Sequence, residues 1–198
     1  MANINYIKER IEDLKREYPE LRKEQDYRLF TLLCLKYFYF NDVDDIDPTD
    51  LLDKITDGKS DGGIDAIFND PNSDNNDMVI IQSKYYEQSD LTVYDAVAEL
   101  EKMVDTIQNI DNCKVSAINE QVVSAYRWAK SSMEENGAIR LAFFSSYKAK
   151  STRERNSIEK NLQINIAKKI LKNNTTSNLI YITKFRHRLR QLTVVSCA

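Results

Sequence analysis

A chain of 198 residues with 42% hydrophobic, 10% aromatic and 30% charged residues can bury one sizeable core, which excludes a disordered or fibrous protein. Its formal net charge of −3 hides a split: residues 1–139 hold 15 Lys+Arg against 29 Asp+Glu, and residues 140–198 hold 13 against 2. No apolar run is long enough to span a membrane and the charged amino terminus has no signal-peptide core, which argues against a membrane partner and for the cytoplasm.

The first predicted element is a charged helix over 4–18, with Ile4, Ile7, Ile11 and Leu14 at helical spacing. Pro19 ends it and opens a strongly apolar helix over about 20–40. There Tyr27, Phe30, Leu33, Cys34, Tyr37 and Phe38 make one face, widened by Leu29, Leu32 and Leu35. Asp47-Pro48 fits the N-cap and first position of a short helix reaching about Lys54. Two strands follow, IDAIF from Ile64 and MVIIQSK from Met78, joined by turn-forming residues: a β-hairpin. The connection DPNSDNND, 70–77, lacks the glycine and closing glutamate of a helix-flanked calcium loop and reads as a turn.

Helices are expected over about 91–110, with Leu91, Tyr94, Val97, Leu100, Val104 and Ile107 inward, and over about 116–136, ending at Asn136-Gly137. Ile139–Ser145 (IRLAFFS) is a strand, 152–172 a helix with Ile158, Leu162, Ile166 and Ile170 inward, and Leu179–Phe185 (LIYITKF) a second late strand. Strands separated by helices pair in parallel through crossovers. The fold class is therefore α/β, a mixed β-sheet of an antiparallel hairpin plus parallel strands, flanked by helices. One domain covers 1–198: amino-terminal helices over 1–45, a core over 46–185 and a basic tail over 186–198. Cys34, Cys113 and Cys197 are odd in number and widely spaced, which fits a reducing compartment and no zinc site; Cys34 reads as a core residue.

Asp65 opens the first hairpin strand, and Gln82 and Lys84 close the second. Two apart on a strand, Gln82 and Lys84 point to one face. With Asp65 turned the same way, a carboxylate, an amide carbonyl and an ammonium converge. The two oxygens suit a hard cation such as Mg²⁺, and a lysine beside it can orient and help deprotonate a water: the parts of metal-assisted phosphodiester hydrolysis. The plain alternative makes Asp65 a turn residue and Lys84 an edge gatekeeper, but a charge in a buried strand is costly. Gly58, Gly62 and Gly63 allow a tight turn or close approach to a ligand just before Asp65. Asp57 and Asp61 beside them either complete a metal shell, contact nucleic acid, or make turn hydrogen bonds.

The string DGKSDGGIDAIF (57–68) followed by IIQSKY (80–85) resembles the PD-(D/E)xK nuclease superfamily, closest to the amino-terminal nuclease domain of AIPR (abortive-infection phage-resistance) proteins. Asp65 stands at the motif aspartate, Gln82 and Lys84 at the Q-x-K pair, and Asp57 and Asp61 at the acids of D-G-x-x-D-x-G-I-D; Ile64-Asp65 replaces the literal Pro-Asp. The likeness is sharp over about 50–90 and topological elsewhere. It implies a restriction-endonuclease-like fold, a Mg²⁺ cofactor with Mn²⁺ as a substitute, and hydrolysis of DNA ahead of RNA in bacterial or phage defence. It implies metal ligation by Asp65, Gln82 and Asp61 and by an acid from the first core helix. For that acid Asp26 is the choice, with Glu24 and Glu20 as competitors and helix capping as the plain alternative. AIPR-like proteins are generally longer, so the resemblance leads one to expect a fragment or a truncated gene product, with 186–198 as the truncation point.

The basic half suits phosphates, so Lys148, Lys150 and Arg153 are candidate nucleic-acid contacts, against solvated helix faces as the alternative; Lys59 among the glycines and Tyr85 after the motif lysine are further candidates, with sheet packing as good an account of Tyr85. Two other readings stand: a nuclease-like module that binds nucleic acid or protein without cutting, and an interaction protein, or homo-oligomer, pairing through the helices at 4–18 and 152–172. The single histidine, His187, lies in the basic tail, and no P-loop spacing occurs; a histidine mechanism and nucleotide hydrolysis are disfavoured.

Overall fold

Alternation along the hairpin sets the layers. β1 (Ala66–Asn69) and β2 (Met78–Lys84) pair antiparallel, with Ala66 opposite Ile81 and Asn69 opposite Met78. Ile67, Met78 and Ile80 join one core, and Ala66, Phe68, Val79 and Ile81 join another. A hairpin that is apolar on both faces needs a layer over each. α3 (Val93–Asp111) and α4 (Glu120–Ser131) cover the first with Leu100, Met103, Val104, Ile107, Val122 and Tyr126. α1 (Asn3–Glu17) and α2 (Asp26–Phe38) cover the second with Ile11, Leu14, Leu29, Leu32 and Leu35.

A computed structural model of the chain describes residues 3–41, 43, 46–85, 93–146, 160, 180–183 and 194–195. The expected helix over 152–172, apart from residue 160, which is helical, lies outside the described residues with Leu91, Cys197, His187, Lys148, Lys150 and Arg153, as do the side chains of Ile4, Tyr94 and Val97.

β3 (Ile139–Ser145) runs parallel to β2, with Met78 opposite Ile139 and Lys84 opposite Ser145. β4 (Ile180–Thr183) continues parallel to β3, and β5 (Val194–Val195) returns antiparallel, giving the order β1-β2-β3-β4-β5. The chain is thus an α/β protein with a mixed sheet flanked by helices. β5 falls in the stretch that the sequence marks as tail. No helix among the described residues is long and apolar enough to cross a membrane.

The single helix expected over 20–40 is broken. Pro19–Lys23 makes a 3-10 turn, the backbone extends at Glu24 and Gln25, and α2 starts at Asp26. Within α2 every residue from Leu29 to Leu35 is buried, with Leu29, Leu32 and Leu35 at its centre. Tyr27 and Tyr37, expected inward, are exposed. A helix wedged between a sheet and another helix has no single apolar stripe, and its tyrosines turn their hydroxyls to water at the rims. Likewise α4 begins at Glu120, where the Asn119 side chain accepts from the Gln121 N–H (2.8 Å), and ends at Ser131, well before Gly137. The short 3-10 turn at Pro48–Lys54 is capped by Asp47 as expected, through the Thr49 N–H at 2.8 Å.

Charge pins the far turn of the hairpin. Arg140 on β3 pairs with Asp70 (Nη1 to Oδ2, 3.3 Å) and with Asp77 (Nη2 to Oδ2), both carboxylates being buried. Asp77 Oδ1 also accepts from the Ala138 N–H (2.8 Å), and Asp70 Oδ1 from the Asn72 N–H (3.0 Å). The acids of this turn fix the alignment of the hairpin with β3. Arg140→Ala strands two buried carboxylates and is expected to lower the unfolding free energy by about 3 kcal/mol. Urea denaturation reads this directly; an unchanged midpoint would remove the arginine from the account.

Candidate metal centre

Glycine shapes the approach to Asp65. Gly62 and Gly63 have φ of +70° and +79°, conformations that side chains resist. A Cβ on Gly62 would overlap Thr106 of α3, whose hydroxyl donates to the Gly62 carbonyl at 2.8 Å. The loop is therefore drawn tightly onto α3. Asp61 Oδ1 accepts from the Gly63 N–H (2.7 Å), and the Asn119 N–H donates to the Ser60 carbonyl (2.9 Å). This folding brings one carboxylate oxygen each from Asp57, Asp61 and Asp65 within 4.8 Å of one another.

Asp65 stands immediately ahead of the β1 ladder. Its N–H donates to the Ile81 carbonyl (2.8 Å) and its carbonyl accepts from the Thr56 N–H (2.9 Å). Ile64 and Ile67 both join the core under α3, so strict alternation is interrupted between them, and the pleat does not set Asp65 squarely across from Gln82. Asp65 Oδ2 instead accepts from the Ser83 N–H (2.5 Å) and the Ser83 hydroxyl (3.2 Å). That hydroxyl shares a 2.6 Å hydrogen bond with Thr31 of α2. Burial pushes the Asp65 carboxyl up to about 7; the Ser83 N–H opposes this, the charges of Asp57 and Asp61 add to it, and Lys84 opposes it. Burial also raises Asp57, helped by Asp61 and opposed by Arg28 and Lys84.

Gln82 and Lys84 share a face, as the strand period requires, and one residue of α3 grips both. Glu99 Oε2 accepts from Gln82 Nε2 (2.6 Å), and its Oε1 pairs with Lys84 Nζ at 3.2 Å. Gln82 is 0% exposed. Its Oε1 and Asp57 Oδ2 are buried oxygens without a hydrogen-bond donor. A Cβ on Gly63 would stand 3.2 Å from Gln82 Nε2, so the amide lies against the loop that carries the acids. The expected single convergence is thus two joined groups: Asp57, Asp61 and Asp65 in one, and Gln82, Lys84 and Glu99 in the other. Sequence reasoning missed Glu99. Its signal was a carboxylate next to Leu100 and four residues before Met103, at the margin of a buried helical stripe.

Asp26 does not join either group. It sits in the first turn of α2, 41% exposed, and takes Lys15 of α1 at 2.7 Å, where a carboxylate also favours the helix amino terminus. Glu24 pairs with Arg28 at 3.0 Å, and Glu20 is exposed in the preceding 3-10 turn. The first core helix thus supplies no carboxylate to this cluster. Lys59 is exposed on the glycine loop. Tyr85 leans on Phe30, ring centroids 5.7 Å apart, which is a core contact rather than a platform for bases.

Compared with protein-family models, with curated proteins and with solved structures, the chain finds no match.

Carboxylate and amide oxygens are hard donors that fit Mg²⁺ or Mn²⁺ and not a thiophilic metal. Asp57 Oδ2 and Gln82 Oε1, both buried without a donor, are oxygens of the kind such an ion takes. A pH test follows. Folded, Asp65 keeps its proton up to about 7, above its unfolded range, so the folded chain binds more protons in between. By linkage, the Asp65 contribution to stability is fully present at low pH and is lost as pH rises to about 7. Mg²⁺ is therefore expected to raise the melting temperature more at pH 8 than at pH 6. Asp65→Asn is expected to stabilise the metal-free chain at pH 8 and to abolish the Mg²⁺ effect. Equal Mg²⁺ shifts in parent and variant would contradict this.

Proposed function

We propose that the chain is a Mg²⁺-dependent phosphodiester hydrolase, a nuclease of PD-(D/E)xK type with a restriction-endonuclease-like fold, acting on DNA ahead of RNA. One observation carries the reading. Asp57, Asp61 and Asp65, all within the D-G-x-x-D-x-G-I-D string, bring oxygens within 4.8 Å of one another, and the Lys84 charge acts on the carboxyls of Asp57 and Asp65, opposing the rise that burial causes. A divalent ion bound there supplies a Lewis acid that polarises a phosphoryl oxygen and acidifies a coordinated water.

The chain's own residues do the rest. Asp57, Asp61 and Asp65 would hold the ion together with the Gln82 amide oxygen. Ser83, itself bonded to Thr31, fixes Asp65 by engaging Oδ2 through its N–H and its hydroxyl, and Oδ1 would meet the ion. Lys84 orients the attacking water and sets positive charge beside the pentavalent phosphorus. Glutamine at 82 puts no charge on the strand, and Asp57 and Asp61 supply what it lacks. Lys59, exposed on the same loop, suits a flanking phosphate. A place in bacterial or phage defence goes with the family likeness.

Plasmid DNA and RNA incubated with Mg²⁺, Mn²⁺ or EDTA test the reading. Cleavage is expected with either metal and not with EDTA, and Lys84→Ala or Asp65→Ala is expected to cost at least about 100-fold in rate with unchanged far-UV circular dichroism. Cleavage at the parental rate by either variant would end the reading. Salt-sensitive binding by the parent without any cleavage would favour the non-cutting module instead.

A further inference from the structure

We infer that Glu99 is the positioning residue of this centre: its one carboxylate fixes which end of the Gln82 amide meets the ion and where the Lys84 ammonium stands. The inference rests on the nuclease reading for its chemical purpose and on the geometry for its content.

A glutamine side chain is nearly symmetric in shape and opposite in polarity at its two ends. On a strand that must offer an oxygen to a cation, a flipped amide presents two N–H groups and repels the ion. Something must break the symmetry. An ionised carboxylate accepts and never donates, so Glu99 Oε2, 2.6 Å from Gln82 Nε2, admits only the NH₂ end. The carbonyl oxygen is left on the other side, buried and without a donor. A buried acceptor in that state is unfavourable, and a cation removes the cost. The same carboxylate takes Lys84 Nζ at 3.2 Å through Oε1, so the two motif side chains are held by one group. α3 is itself fixed to the glycine loop by the hydrogen bond from Thr106 to Gly62, so Glu99 moves with the loop that bears the acids.

The test uses the full chain, with Mn²⁺ affinity measured by calorimetry and cleavage measured separately. Glu99→Gln is isosteric but ambivalent: it can accept from Gln82 or donate to it. It is expected to weaken Mn²⁺ binding about tenfold and to lower kcat while KM for the nucleic acid stays put. Exchanging the pair, Gln82→Glu with Glu99→Gln, restores one donor, one acceptor and the total charge, and is expected to recover most of the affinity. Should Glu99→Gln fold poorly, Glu99→Asp keeps the acceptor with a shorter reach and is expected to lose less than Glu99→Ala.

A parent that binds Mn²⁺ and a Glu99→Gln chain that binds and cuts equally well would overturn the role of Glu99 alone. Stronger binding or faster cleavage in Glu99→Gln would mark the grip as a lock and also overturn it. Mn²⁺ binding that follows the expected order, with no cleavage by the parent, would uphold Glu99 and end the nuclease reading. No Mn²⁺ binding by the parent would sink both.

Discussion

Three carboxylates meet at one end of the hairpin, one of them buried and two half-buried. Asp65 is buried, and Asp57 and Asp61 stand beside it. The charges of Asp57 and Asp61 raise the Asp65 carboxyl, and burial is the larger cause, carrying it to about 7. A fold that keeps such a cluster tolerates a local penalty near neutral pH, and a divalent cation relieves it. The rest of the site serves that constraint. Ser83 satisfies one oxygen of Asp65 with two donors, and Gly62 and Gly63 let the loop fold back so that the acids meet.

The centre sits where both layers of the molecule reach the same end of the hairpin. α2 sends Thr31 to Ser83 from one side of the sheet; α3 sends Glu99 to Gln82 and Lys84 from the other. The apolar residues that precede them on β2, Met78 to Ile81, are fully buried and rigidly backed on both faces. At the opposite end Arg140 ties the turn to β3. A polar group at the end of a strand held in this way has little freedom to drift, which is what the proposed hydrolysis at a fixed ion would require.

Much of this was legible in the sequence, and the reasons are local. The alternating and continuous apolar runs gave β1, β2 and β3, because a strand's period and length are written in a few neighbouring residues. The D-G-x-x-D-x-G-I-D string offered Asp57 and Asp61 as possible partners of Asp65, because glycines beside them allow a tight turn, but that Thr106 and Asn119 draw the loop into the shape that joins the three was not written there. What escaped depended on distant parts of the chain. Glu99 reads as one more helix-surface acid until α3 is docked against β2. Asp26 reads as a stray acid on an apolar helix until α1 brings Lys15 beside it. The break at Glu24 and Gln25 and the outward turn of Tyr27 follow from how α2 is wedged between layers, which no periodicity encodes. The direction of Asp65 was also hidden, because its backbone leaves the ladder one residue before β1 begins.

The most direct test is anomalous X-ray scattering from crystals of the chain grown with Mn²⁺. The account predicts a single strong peak among the carboxylates of Asp57, Asp61 and Asp65, bonded to Asp65 Oδ1 and to Gln82 Oε1, with Lys84 still paired to Glu99 beside it. A peak elsewhere, or an ion in the acid cluster with the Gln82 amide turned so that its nitrogen faces it, would contradict the account.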